Sequence, residues 1–591
     1  MSIQPVTLSR AWIALAIGLL CTHTLFERGA FARGAVTFTD VAAAAGLTVP
    51  STYGGPERKR FIIETNGAGT AWVDADQDSW LDALVLGGTR LIDGQRADDP
   101  AIAAAGPTTR LYRNQRDGTF KDVTASSGLG LTVWASSVCG GDYDNDGRLD
   151  LFITSFGRNR LFRALGNGRF EDVSTAEGLP AEGPPRWGSG CAFLDFDRDG
   201  RLDLFVSNYL VFDLGTATEP GQGVNCLWMG IPVNCGPKGL PTDTNLLFRN
   251  TGSGFVDVSG PSGIARVTGR YSMTALAADF DEDGWTDIYV ASDSTAAILY
   301  RNNHDGTFID VALSSGAALS ENGMAQAGMG AATGDINADG RLDLFKTHFA
   351  DDIPALYRAT GKGLFEEIAT AAGLAVQNRY VEWGAGIVDA DNDGWQDLLY
   401  MTGNVYPEVE QKFPRYPHKG PRIFFRNKGD GTFDDLSASS GPGLTIPRSS
   451  RGAAFGDFDN DGDVDVLVMN MNEPPSLLRN DSPKTHHWIA VALRGTTSNR
   501  AGIGATVRVT AGGRVQARAV LSQSSYYSLD DLRAHFGLGD AARVDRVEVT
   551  WPDGRTESAT NVAADRSVVF VEGSGTVVEW PSRVTTTSRP R

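Results

Sequence analysis

The sequence predicts an all-β protein, a seven-bladed β-propeller followed by a small C-terminal β-sandwich-like domain. Three observations predict it. An acidic nine-residue pattern, DxDxDGxxD or a close variant, begins seven times, at Asp74, Asp142, Asp195, Asp279, Asp335, Asp389 and Asp457. Each copy runs into an alternating apolar segment such as Leu149 to Thr154 or Val464 to Met469, which is strand periodicity. Downstream recur an LYRN-like element and then a glycine turn with an FxDV-like element. Four short strands per unit, repeated radially, make a propeller.

The strands can be taken in order. The first enters the acidic loop and the second leaves it. The third is Leu111-Tyr112-Arg113-Asn114 and its counterparts ending at Asn250, Asn302, Asn427 and Asn480, with looser versions at Leu161 and Leu356. The fourth is typified by Phe120-Lys121-Asp122-Val123. The seventh unit lacks this fourth strand, whereas Phe38-Thr39-Asp40-Val41 precedes the first loop with no unit of its own. The N-terminal strand is therefore expected to close the ring and cover an edge that would otherwise be exposed. This strand order puts the acidic loops on one face. The long insertions, Gly87 to Thr109, Asn208 to Thr244 and Gly403 to Gly420, fall on the other, where recognition is expected.

Four carboxylates within nine residues repel one another unless a hard cation sits among them, and oxygen ligands at alternating positions suit calcium. The expected ligands are Asp74, Asp76, Asp78 and Asp82 in the first loop, and Asp142, Asp144, Asp146 and Asp150 in the second. Asp195, Asp197, Asp199 and Asp203 serve the third, and Asp279, Asp281, Asp283 and Asp287 the fourth. The fifth has Asp335, Asn337, Asp339 and Asp343, the sixth Asp389, Asp391, Asp393 and Asp397, and the seventh Asp457, Asp459, Asp461 and Asp465. Six to seven calcium ions are expected, because the first loop has Ser79 where the others have glycine. An EF-hand is excluded, since no Glu stands at position twelve and a strand follows the loop.

The N-terminus carries Arg10, an apolar run from Ala11 to Cys21 and the triplet Ala30-Phe31-Ala32. Residues 1–32 read as a signal peptide, 33–483 as the propeller, 484–572 as the C-terminal β-domain and 573–591 as a tail. The protein is expected to be secreted, periplasmic or on the cell surface, with no membrane span once the signal is cleaved. In such a compartment Cys226 and Cys235, nine residues apart in a Gly/Pro-rich loop, are expected to form a disulfide. Cys139 and Cys191 precede their acidic loops at similar offsets and stand on neighbouring innermost strands, where pairing is open but two buried thiols are favoured. Acidic residues outnumber basic ones 72 to 53, which argues against a nucleic-acid partner.

These repeats resemble the FG-GAP/VCBS repeats of integrin-α-like propellers. The C-terminal motifs His487-Trp488-Ile489, Ser498-Asn499-Arg500, Gly502-Ile503-Gly504, His535-Phe536-Gly537-Leu538-Gly539 and Trp551-Pro552-Asp553-Gly554 resemble an ASPIC/UnbV domain. Gly190-Cys191-Ala192-Phe193 and Gly403-Asn404-Val405-Tyr406-Pro407-Glu408 are also similar, and the order is that of the cartilage-acidic-protein-like family. The resemblance implies calcium in the acidic loops, secretion, and adhesion or matrix-like binding of an extracellular protein or glycan. The alternative is a secreted enzyme, in secondary metabolism for instance, whose site in the funnel opposite the acidic loops uses Glu64, Glu382, Glu408, Lys346 and His348. No HExxH or GxSxG motif occurs, which leaves zincin and α/β-hydrolase chemistry without support.

Overall fold

Phe38–Asp40 pairs antiparallel with Ser476–Asn480, so the N-terminal strand completes the last repeat's sheet as expected. The computed structural model describes residues 36–91, 106–180 and 185–580. The expected signal peptide and most of the insertion after Gly87 lie outside the described residues. Seven antiparallel four-stranded units are present, the second and third joined where Arg186–Trp187 pairs with Phe156–Gly157. Their innermost strands are Thr70–Val73, Trp134–Gly141, Arg186–Leu194, Tyr271–Ala278, Ala331–Gly334, Glu382–Val388 and Ser450–Gly456. Each packs against the next, and the seventh returns to the first, which closes the ring.

The asparagine that ends the third strand explains why that motif recurs. Its side-chain Nδ2 donates to a carbonyl at the second position of the preceding unit's acidic loop: Asn250 to Tyr143 (2.9 Å), Asn302 to Phe196 (2.9 Å), Asn427 to Ile336 (2.8 Å) and Asn480 to Ala390 (2.8 Å). Asn114 does the same to Phe458 (2.9 Å), across the point of closure. A buried amide in this position satisfies a carbonyl that a neighbouring sheet cannot reach, and so staples unit to unit.

The C-terminal region is a sandwich of two four-stranded sheets. His487–Arg494 lies between Ala534–Gly539 and a parallel neighbour, Arg566–Val571, while Thr506–Ala511 lies between Arg514–Ala519 and Arg543–Thr550. Val491, Phe536 and Phe570 of one sheet share a core with Val507, Val547 and Val549 of the other. Residues 573–580 do not belong to a tail: Val577–Glu579 adds an edge strand to Arg566–Val571. The sequence missed it because its short, half-exposed pattern carries little apolar signal.

The sandwich sits on the acidic-loop face. Arg508 Nε donates to Gly340 O (3.0 Å), Arg514 to Asp393 O (2.9 Å), Arg533 to Asp457 O (3.0 Å) and Gly539 N to Asn392 O (2.9 Å). From it the segment 522–531 enters the propeller axis and hydrogen-bonds to the innermost strand of every unit. Leu529 exchanges bonds with Thr70 and Trp72, Val138 N donates to Tyr527 O, and Phe193 N to Ser522 Oγ. Ala275 N donates to Gln523 Oε1, Ala331 N to Ser525 O, Ala385 N to Ser525 Oγ, and Phe455 N to Asp530 Oδ1. Gly69 makes this approach possible, since a Cβ there would overlap Tyr527 O.

Candidate functional site

The acidic loops share one geometry. In each, the first aspartate turns back and accepts the backbone N–H groups of positions five and six. Asp142 accepts from Asp146 (2.9 Å) and Gly147 (2.7 Å), and Asp389 from Asp393 (3.1 Å) and Gly394 (2.7 Å). The ninth-position aspartate ties the loop to its own sheet. Asp203 accepts from Phe196 N (3.2 Å) and Asn250 N (2.8 Å), and Asp465 from Phe458 N (3.2 Å) and Asn480 N (2.8 Å). These bonds leave the third-position side chain to point inward. Asp76 Oδ1, Asp197 Oδ1, Asn337 Oδ1, Asp391 Oδ1 and Asp459 Oδ1 are buried without a hydrogen-bond partner.

Among the described residues, six groups of three or more side chains of metal-ligating type bring one ligand atom each to within 4.8 Å of one another, including the carboxylate triplets Asp74/Asp76/Asp78, Asp142/Asp144/Asp146, Asp195/Asp197/Asp199, Asp279/Asp281/Asp287 and Asp389/Asp391/Asp397. Burial pushes the Asp142 and Asp195 carboxyls up to about 7, and the adjacent aspartates add to the effect. Asp150 is driven to about 9 for the same reasons. An inward oxygen with no donor, among carboxylates that resist ionisation without a counter-charge, is a donor set that fits a metal ion. The fifth loop keeps this form with Asn337, whose amide donates to Asp339 Oδ2 (3.0 Å) and leaves its oxygen turned inward. Ser79 is accommodated in the first loop at φ 71°, where the six glycines adopt φ 81° to 95°.

The funnel residues do not gather in one cleft. Glu64 is buried and accepts three backbone N–H groups, from Gly55 (3.0 Å), Arg60 (2.7 Å) and Phe61 (3.0 Å), which fold the segment before the first strand. Lys346, His348 and Glu382 form a fully buried group between the fifth and sixth units. There His348 N donates to Glu382 Oε2 (3.1 Å) and Lys346 Nζ to the Tyr357 hydroxyl (3.1 Å). Burial holds the Glu382 carboxyl well above its usual range, His348 well below, and Lys346 at about 8. Glu408 lies apart on the 403–420 insertion, half-buried.

On this face two of the insertions, 208–244 and 403–420, meet. Trp228, in the hairpin Leu227–Trp228/Ile231–Pro232, packs edge-on against Tyr416 (4.7 Å between ring centroids) and contacts Phe349 and Tyr406. The Cys226–Cys235 disulfide closes the hairpin as expected. Leu227 and Met229 of the hairpin are open to solvent, as is Val224 just before it, 91% exposed. Cys139 and Cys191 are also paired, which corrects the expectation of two free thiols. Packing of the second unit on the third brings the two innermost strands to a Cα separation of 5.9 Å, within disulfide reach, a distance that 52 residues of sequence separation conceal.

Comparison with known proteins agrees with this architecture. The FG-GAP-like repeat model matches residues 92–153, 142–206, 279–345 and 418–468, and the ASPIC and UnbV model matches 495–577. The class is thus an FG-GAP-like repeat propeller carrying an ASPIC and UnbV region. The particular similarity is to cartilage acidic protein 1, in sequence over most of the chain. The chain is 25% identical to human cartilage acidic protein 1 over 84% of its length and 70% of the relative's, and 25% identical to the Xenopus tropicalis protein over 82% and 70%. Among solved structures it is similar to an Agrocybe aegerita lectin specific for non-reducing terminal N-acetylglucosamine (TM-score 0.35, 17% identity, 61% of this chain and 81% of that one).

Proposed function

We propose that the chain is an exported, calcium-binding adhesion-type module, in which calcium in the acidic loops fixes the blades and the insertion face engages an extracellular protein or glycan. The observation that carries the calcium half is the row of inward, partnerless third-position oxygens inside carboxylate clusters. Seven loops of one form give six to seven ions, the Ser79 loop filling last. Two disulfides accord with an oxidising destination, and no helix among the described residues is long and apolar enough to cross a membrane. The binding half is supported by the disulfide-closed hairpin, because exposed large apolar side chains such as Leu227 and Met229 on a rigid base suit a partner. The relatives' name adds a cartilage or matrix-like setting.

Isothermal titration of chelator-stripped protein with calcium tests the first half, with six to seven sites expected and no heat of binding sinking it. Screening of immobilised glycans and matrix proteins with the chain and its Leu227→Asp/Met229→Asp variant tests the second. Binding that the variant keeps undiminished would move the partner site elsewhere.

A further inference from the structure

A cavity of about 390 Å³ lies between the acidic-loop face of the first two blades and the C-terminal sandwich. Its size is that of a small-molecule site, and domain seams are where such sites concentrate. The propeller contributes Trp72, Leu81 and Leu149 to its wall, and the sandwich contributes Leu493, Leu532 and Val569. Gln77, exposed, and Arg148, Arg500 and Trp580, part-exposed, also line it, so the cavity reaches solvent.

Most charged groups along the cavity already have partners. Asp74 accepts from Asp78 N (2.8 Å) and Ser79 N (2.9 Å), and Asp142 from Asp146 N and Gly147 N. Asp531 pairs with Arg533 (2.7 Å), whose other nitrogens reach Asn460 and Asp457 O, while Arg148 pairs with Asp146. Arg500 differs. Its guanidinium makes no ion pair among the described residues and reaches only Gly495 O, at 3.4 Å. Arg494 stands close enough for the two guanidinium groups to repel, which adds to burial in lowering the Arg494 pKa. The indole N–H of Trp580 is buried without an acceptor. The cavity therefore offers an apolar wall, an uncompensated guanidinium and an unused N–H donor, which together complement an anion attached to an apolar body.

We propose that this interdomain cavity binds a small amphiphilic anion, its carboxylate or sulfonate headgroup held by Arg500 and the Trp580 indole and its apolar part lying against Leu81, Leu149, Leu493 and Leu532. The site exists only where propeller and sandwich meet, so it gives the C-terminal region a binding role. It lies away from the insertion face and does not depend on what binds there.

The probe is 8-anilinonaphthalene-1-sulfonate, an amphiphilic sulfonate that fluoresces on leaving water, titrated into the mature full chain in calcium-containing buffer. One saturable site per chain is expected, displaced by decanoate and not by the same concentration of decanol. Arg500→Gln should weaken binding at least tenfold, and Ala501→Phe, which fills the cavity, should do likewise with an unchanged melting temperature. If Arg500→Gln fails to fold, Ala501→Phe alone decides. Non-saturable binding, binding that both folded variants retain, or displacement by decanol equal to that by decanoate would overturn the proposal.

Discussion

Ser79 shows at one residue what the loop demands. It holds φ 71° and donates its N–H to Asp74 Oδ2 (2.9 Å), as Gly147 does to Asp142, but it carries a Cβ in a region where L-residues are disfavoured by about 1 kcal/mol or more. Ser79→Gly is expected to raise the unfolding free energy by about 1 kcal/mol in urea denaturation and to tighten calcium binding at that loop. A loss of stability would mean the serine side chain compensates the strain. Lys59 illustrates a different cost. It is 1% exposed, donates to Tyr53 O (2.7 Å), and is pushed down to about 7 by burial and then by Arg451. The folded state therefore gives up the proton near pH 7, whereas the unfolded chain keeps it to about 10.4. Between these values the unfolded state binds more protons, so this lysine's destabilisation shrinks as pH rises. The stability advantage of Lys59→Met over the wild type should thus be largest at or below pH 7 and fall by about 1.4 kcal/mol per unit above it, up to the unfolded value. A difference independent of pH from 7 to 9.5 would refute the shift.

At the scale of the element, the closing strand couples the two ends of the ring. Phe38 is fully buried beside Phe424, and Asp40 Oδ1 accepts from Leu477 N (3.2 Å). Deleting residues 36–42 exposes the edge of Ser476–Asn480 and opens this packing. That deletion should lower the melting temperature by several degrees, whereas removal of the chain from Ser582 onward should leave it nearly unchanged. Equal melting temperatures would disprove closure by this strand. The Cys139–Cys191 bridge works at the same scale, since it joins the innermost strands of the second and third blades beside Gln523.

For the whole molecule, the acidic loops are at once the proposed ion sites and the surface on which the sandwich rests. Loop carbonyls at Gly340, Asp393 and Asp457 receive the arginines that dock it, so a loop that loses its ion loses its neighbour's footing as well. At tenfold excess over Kd each ion contributes about 1.4 kcal/mol by mass action, and six about 8 kcal/mol, comparable with the total stability of a typical domain. Chelation should therefore lower the melting temperature of propeller and sandwich together, and make residues 522–531 accessible to protease. Calorimetry and limited proteolysis with and without chelator check this. An unchanged transition would reduce the loops to solvated turns.

The sequence by itself determined the repeating unit, the acidic loops, the closing strand and the Cys226–Cys235 hairpin. Each is written in local spacing: a nine-residue carboxylate pattern, alternation of apolar residues, an orphan strand that fits one gap. Tertiary structure decided the rest. Ser522–Ser528 is a polar run without periodicity, and nothing local marks it as buried. It is buried because seven innermost strands, drawn from positions 70 to 456, present N–H groups to one axis, and a segment rich in carbonyl and side-chain oxygens accepts from each strand. The Cys139–Cys191 pair, the scattering of Glu64, Glu382 and Glu408, and the cavity at Arg500 follow from the same cause. They depend on distances between neighbouring blades, as for the two cysteines 52 residues apart, and across the domain seam, which only packing sets.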